Sequence, residues 1–459
     1  MPDAIRQVQP PLEFIPPRFN PWIRRGLSPL LPWILRSRCA IDHVAADNID
    51  QLAELYRQFD TGKIRLLLAF RHPSADDPLC LADLIWHQLP KAARKRQMRL
   101  SQPTHSYFMY DRGVPLWTGE WSAWLYSRLG GTSIRRGKLD TVGLRSARDL
   151  FVNGQFPLAA APEGAINGHT EIVSPLEPGL SHLSFWCMED LKKAGRSEDV
   201  VILPIGVKFF YRNPPWMAIA QLLADLEADV GLTAPRQVDA AIERHLYDRM
   251  YRLAQHLLAL MEQFYSEFFH QPIPVQPFGD QPMPHEVFAE RLNQLLDAAL
   301  KAAEQHFDLP AKGNLIDRCR RLEQAGWDWI FRDDIKDLEA LSPVERGLAD
   351  RVAVEADLRL WHMRLVESFV AVTGKYVFEK PTAERLAETV LLMWDLVTRI
   401  KGRSPFGRPN LGRRRAVLTI GQPLTIADRW ETYKSGRKQA KQAVADLTQD
   451  LQAALESMV

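Results

Sequence analysis

The chain has 459 residues, a formal net charge of +2, 46% hydrophobic residues and 25% charged ones. That balance excludes a disordered tail, and the length exceeds what one core usually holds, which predicts two domains or one domain with a large insertion. A near-neutral total gives no electrostatic reason to expect a nucleic-acid partner, and neither aromatic interleaving among the basic stretches nor zinc-ligand spacing points to one.

The opening stretch MPDAIRQVQPPLEF lacks the continuous apolar core of a secretory signal. Residues 1–39 read as an amphipathic, membrane-proximal segment. Between 17 and 39 lie Trp22, Leu30, Leu31, Trp33, Ile34, Leu35 and five arginines, with no acidic residue from Glu13 to Asp42. Two readings fit: an interfacial anchor with rings at headgroup depth and arginines on anionic lipid, or a core-packing helix with a solvated basic edge. Pro29 and Pro32 argue against one long regular helix. No apolar run approaches the roughly 18–20 residues that cross a bilayer.

From 63 to about 211, KIRLLLAF (63–70), SYFMY (106–110), FPLAAA (156–161) and VVILPIGVKFFY (200–211) read as buried strands. Helical stretches at 79–89 and 179–195 alternate with them, which predicts an α/β fold with a mostly parallel central sheet flanked by helices. Residues 217–411 differ in kind. Ile242, Leu246, Met250, Leu253, Leu257, Leu260, Phe264 and Phe268 recur every three or four residues, as in one long amphipathic helix. A proline-rich connector (272–284) follows, then helices near 285–308, 314–325, 343–374 and 382–401. Ser342-Pro343-Val344-Glu345 has the form of a capping box with proline in the first turn.

The strand signal returns in RRAVLTIGQPLTI (414–426), ahead of a closing helix at about 431–458. One late strand cannot make a sheet alone, so it is expected to rejoin the first. Residues 40–216 and 412–459 then form a discontinuous α/β domain, interrupted by a large all-helical insertion at 217–411. Cys39, Cys80, Cys187 and Cys319 are scattered with no CxxC pair, which suits a reducing, cytoplasmic compartment and predicts neither disulfides nor a metal cluster.

The chemistry centres on Arg71-His72-Pro73-Ser74-Ala75-Asp76-Asp77-Pro78. A histidine whose second ring nitrogen is held by a carboxylate is a general base. On a continuous helix a spacing of five would set His72 and Asp77 roughly 140° apart. They meet only if His72 sits in a strand-to-helix turn and Asp77 opens the helix, which Pro73 and Pro78 favour. The plain structural alternative makes Asp77 a helix cap and His72 a loop residue. Ser74 suggests a rival hydrolase triad, but no G-x-S-x-G elbow surrounds it.

Four blocks in order, the His72 run, Gly130-Gly131-Thr132-Ser133-Ile134-Arg135-Arg136, Pro162-Glu163-Gly164 and Leu203-Pro204-Ile205-Gly206, resemble the glycerolipid acyltransferase family, the lysophosphatidate acyltransferase group in particular. The resemblance covers 40–211 and extends to the strand and helix at 414–458. It implies His72 as base for an acceptor hydroxyl and Asp77 as its orienting partner. It also implies Arg136 as the grip on an acceptor phosphate, Glu163 and Gly164 at the acceptor site, and Pro204 in the acyl-side wall. The implied donor is acyl-CoA or acyl-carrier protein, with no cofactor and no metal, and the implied setting is the cytoplasmic surface of a membrane.

Several positions depart from the family pattern. Ser133 stands for a phenylalanine, Arg135 for a frequent aspartate, Ala165-Ile166-Asn167 for Thr-Arg-Ser, and Arg71 for an asparagine before the histidine. The arginine absent at Ile166 removes a phosphate contact that Arg135 is placed to replace. The alternatives are a glycerol-3-phosphate acyltransferase and a non-catalytic lipid-binding protein of the same fold. From Arg399 to Arg415 seven basic residues run without an acidic one, as a solvated loop, a headgroup contact or a dock for an acidic carrier protein.

Overall fold

The computed structural model describes residues 5–135, 140–233, 242–275, 278–279, 283–335, 337–369 and 375–459. Two compact units emerge. One comprises 14–135, 140–212 and 413–459, the other 5–13 and 213–412. The segment expected to act as one piece over 1–39 is therefore divided. Val8 is buried, and Gln9 pairs with Phe331 in a short parallel bridge, so the first residues fold with the helical unit.

The first unit is built on an eight-stranded sheet: β1 (Ile41–Asp47), β2 (Ile64–Phe70), β3 (Tyr107–Asp111), β4 (Gly131–Ile134), β5 (Leu158–Ala160), β6 (Asp199–Tyr211), β7 (Arg414–Ile420) and β8 (Leu424–Thr425). Their order is β1-β7-β6-β2-β5-β3-β4, with β8 on β6. Five pairings are parallel, and the late strand does rejoin the sheet, running parallel to β1 and antiparallel to β6. The fold is thus α/β, mostly parallel, with helices on both faces.

Alternation along β2 explains why the sheet is central. Leu66, Leu68 and Phe70 enter the core on one face, while Leu67 and Ala69 enter the core on the other. A strand buried on both faces reads as a continuous apolar run, as β2 and β6 do. The amino-terminal segment forms two short helices, Pro21–Leu27 and Leu31–Ser37, joined by a single tight turn of helix at Ser28–Leu30. Pro29 and Pro32 fall at first-turn positions, where a missing N–H is harmless. The closing helix is two, Ala427–Lys434 and Arg437–Glu456. No described helix is long and apolar enough to cross a membrane.

The second unit is helical, as its 3.6-residue periodicity predicts. The long helix spans Ile242–Phe269, and His285–His306, Leu315–Ile330, Pro343–Glu367 and Ala383–Ile400 follow. Ser342 and Glu345 form the reciprocal capping box. Buried arginine–glutamate pairs tie its helices together: Arg249 with Glu227 at 2.6 Å, Arg318 with Glu304 at 2.7 Å, and Arg291 with Glu262.

Gly326 lets Leu315–Ile330 approach Pro343–Glu367 closely, for a Cβ there would lie 2.5 Å from Leu360 Cγ. Leu360 is fully buried and has nowhere to move. Gly326→Ala should therefore lose roughly 1–2 kcal/mol of stability despite the better helix propensity of alanine. Denaturant unfolding of the full chain measures it, and in a Leu360→Ala background, itself less stable, the same substitution should cost less.

Candidate active site

β2 ends at Phe70, and Arg71 makes the last ladder bond, its N–H donating to Ile205 O at 3.0 Å. The chain then turns through Ser74 and Asp76 into the helix Asp77–Asp83, with Pro78 in its first turn. This is the strand-to-helix turn that the His72–Asp77 spacing requires. His72 Nδ1 lies 3.1 Å from Asp77 Oδ2, which also accepts the Ser74 N–H at 3.0 Å. The Asp77 side chain is wholly buried, whereas the His72 side chain is 21% exposed. Asp77 turns its carboxylate back to the histidine and does not cap the helix. Among the described residues no partner takes His72 Nε2.

Burial is the main influence on Asp77 and pushes its carboxyl up to about 6, against the opposing pull of His72 and the Ser74 amide. Its Oδ1 has no partner among the described residues. Ser74 is occupied within its own turn: its hydroxyl donates to Asp76 Oδ2 at 3.3 Å and accepts the Asp76 N–H at 3.2 Å. That leaves the hydrolase arrangement without a nucleophile directed at His72.

Glu163 reaches the same point from the turn after β5. Its Oε1 accepts the His72 backbone N–H at 2.9 Å. Its Oε2 accepts Asn167 Nδ2 at 2.8 Å and the Ser174 N–H at 2.9 Å. The Arg71 guanidinium faces both oxygens, at 3.4 and 3.5 Å, and donates to the carbonyls of His169, Thr170 and Ile172. Arg71 and Glu163 side chains are both fully enclosed. The resemblance puts Glu163 on the acceptor; here the carboxylate is saturated from within and holds the backbone of the histidine. Arg71 stands where the resemblance expects asparagine, and nothing at position 71 announces a partner 92 residues away.

Gly164 adopts φ +69, and a Cβ there would sit 2.3 Å from Glu177 Oε1, so both conformation and close approach require glycine. Pro204 is buried in β6 opposite Ala69, beside the end of β2. Arg135 closes β4; its N–H donates to Asp140 Oδ2 at 2.9 Å, and Asp140 also pairs with Arg112, a buried residue that sequence reasoning missed. Arg136 lies outside the described residues. Glu163, Pro204 and the His72–Asp77 pair converge, with Arg135 at the same edge of the sheet, since β2, β5, β3 and β4 run parallel. Among the described residues no group of His, Cys, Asp and Glu side chains is arranged to hold a metal ion. Comparison with protein-family models, with curated proteins and with solved structures finds no match for this chain.

Removing Arg71 leaves Glu163 as an uncompensated buried charge. Arg71→Met should cost about 3–5 kcal/mol in denaturant unfolding. The double variant with Glu163→Gln should cost less than the sum of the two singles, because the pair is coupled. Strict additivity would contradict the pairing.

Asp77 behaves in the opposite sense. Its folded carboxyl titrates near 6 and an unperturbed one near 4. Folding therefore favours the neutral form, and the ionised form costs stability above about pH 6. Asp77→Asn should be more stable than the parent by roughly 1–3 kcal/mol at pH 8. The gain should shrink as pH falls from about 6 to 4 and vanish near pH 3, below both values, where both states of the parent are protonated. Thermal unfolding at pH 8 and near pH 3 tests this, and equal midpoints at pH 8 would refute it.

Proposed function

We propose that this chain is an O-acyltransferase that moves a fatty acyl group from a thioester, acyl-CoA or acyl-carrier protein, to a hydroxyl of lysophosphatidate or a similar glycerolipid acceptor. The observation that carries the reading is the His72–Asp77 pair at 3.1 Å, one nitrogen held by a buried carboxylate and the other without a protein partner among the described residues. Asp77 keeps the ring proton on Nδ1, so Nε2 presents its lone pair. The acceptor oxygen attacks the thioester carbonyl carbon as Nε2 takes the hydroxyl proton. The tetrahedral adduct then breaks its C–S bond, and the imidazolium returns that proton to the departing sulfur. No acyl-enzyme is formed and no cofactor takes part.

The order of the four sequence blocks supports the same reaction class, and Arg135 with Arg136 is the proposed hold on an acceptor phosphate. Trp22 and Trp33, 72% and 64% exposed on the amino-terminal helices, support peripheral attachment to the cytoplasmic face of a membrane. Glycerol 3-phosphate is the competing acceptor, and a lipid-binding protein without turnover is the competing class.

A radiolabelled acyl thioester offered in parallel with lysophosphatidate and with glycerol 3-phosphate separates these readings. His72→Ala should reduce ester formation to background, and Asp77→Asn should lower kcat by about 10³–10⁴-fold. In the parent the rate should fall as pH drops through about 6, where Asp77 takes up a proton and releases the imidazole. Ester formation unchanged in His72→Ala, or absent from the parent with either acceptor, would overturn the proposal.

A further inference from the structure

The ends of three strands and one helix gather arginines around a single carboxylate. In the sheet register Ile41 of β1 and Tyr211 of β6 both lie beside Arg414 of β7. The residues flanking those positions, Asp42, Arg212 and Arg413, are therefore brought together, and the Arg212 N–H donates to Arg413 O at 2.8 Å. The helix Leu31–Ser37 ends at the same place. Arg413 Nη1 lies 3.1 Å from Asp42, Arg212 Nη1 3.7 Å and Arg36 Nε 3.9 Å. Arg413 also donates to Arg36 O at 2.8 Å, joining helix to sheet. Arg38 and Arg415 add two exposed cations beside them.

Stability does not explain this arrangement. Exposed ion pairs contribute little, and one carboxylate cannot neutralise three guanidiniums. The side chains of Arg36, Arg212 and Arg413 are 67%, 74% and 53% exposed, so their charge faces outward. Protection of the edge strand does not explain it either, because β1 itself carries Asp42 and Asp47 and the arginines cluster at one end only. One turn before Arg36, Trp33 is exposed on the same helix, and exposed Leu30 and Trp22 precede it. Arginines facing outward beside exposed tryptophans are what an anionic bilayer surface accepts, the rings at headgroup depth and the guanidiniums on phosphate. The next residue along, Arg414, turns inward to Asp76 Oδ2 at 2.6 Å, adjacent to Asp77.

We infer that the Asp42-centred arginines form an electrostatic docking site for anionic lipid headgroups, distinct from the tryptophan anchor and set beside the loop that carries His72. It rests on the membrane-surface part of the proposed function and specifies which lipid the surface selects. Binding of the full chain to vesicles of phosphatidylcholine alone, and of phosphatidylcholine with phosphatidylglycerol, tests it by sedimentation without any acyl donor. The parent should prefer the anionic vesicles, and rising salt should abolish the preference. Arg36→Gln/Arg212→Gln/Arg413→Gln should weaken anionic binding roughly a hundredfold while leaving the unfolding midpoint unchanged. Asp42→Asn should strengthen binding several-fold. Equal binding to both vesicles, or a triple variant that binds like the parent, would overturn the inference. So would a triple variant that loses only its affinity for an acidic carrier protein. Because no turnover is measured, vesicle binding that survives without ester formation sinks the acyl-transfer reading alone.

Discussion

The Glu163 carboxylate, buried against the Arg71 guanidinium, is the constraint on which the candidate site depends. Two charges out of water are tolerated only when their remaining hydrogen-bonding capacity is used, and here it is: Glu163 accepts three N–H groups besides facing Arg71, and Arg71 donates to three carbonyls. The consequence is geometric. One of those N–H groups belongs to the backbone of His72, so the turn after β5 fixes the residue that leaves β2. A merely packed loop would leave the imidazole free to swing. A saturated ionic hub allows one arrangement, because every alternative strands a buried donor or acceptor.

Asp77 adds the second constraint from the opposite side. Its carboxylate is as buried as that of Glu163 but accepts from fewer donors, and burial pushes its carboxyl up to about 6. The hub fixes the His72 backbone, and the Asp77 carboxylate holds the imidazole through Nδ1. Both contacts are set where the strand that ends at Phe70 gives way to the helix that begins at Asp77, with Pro73 in the connection and Pro78 in the first turn of the helix.

The sequence and the structure agree where a signal is local and periodic. The β2 and β6 runs, the helix at Ile242–Phe269 and the Ser342 cap were legible because each is dictated by residues a few positions apart. β1 was not legible: IDHVAAD lies at the sheet edge with a mixed face, so it shows neither a continuous apolar run nor clean alternation. β4 has four residues beginning with Gly131 and reads as a turn until β3 supplies its ladder. Of the site, the His72–Asp77 meeting could be reasoned from spacing and proline positions. The roles of Arg71, Asn167 and Ser174 could not, since each depends on a contact made across the fold with one distant carboxylate.

The antiparallel placement of β7 explains how a helical unit interrupts the sheet domain without disturbing this geometry. Had β7 run parallel to β6, the chain would have had to cross the sheet to return. Instead β6 and β7 pair without a break from Ile205 beside Ile420 to Tyr211 beside Arg414, and the Arg212–Arg413 backbone bond closes their open end. The excursion 213–412 thus begins and finishes at one point, as a hairpin connection does. Closing even a very long connection costs only logarithmically more than closing a short one, and a connection that folds on itself with adjacent ends costs less still. His72 follows just beyond β2, the strand next to β6 on the side away from β7, whose ladder is complete through Phe70 beside Ile205. The site's register is therefore set within the sheet unit, whatever length of helix is carried between Arg212 and Arg413.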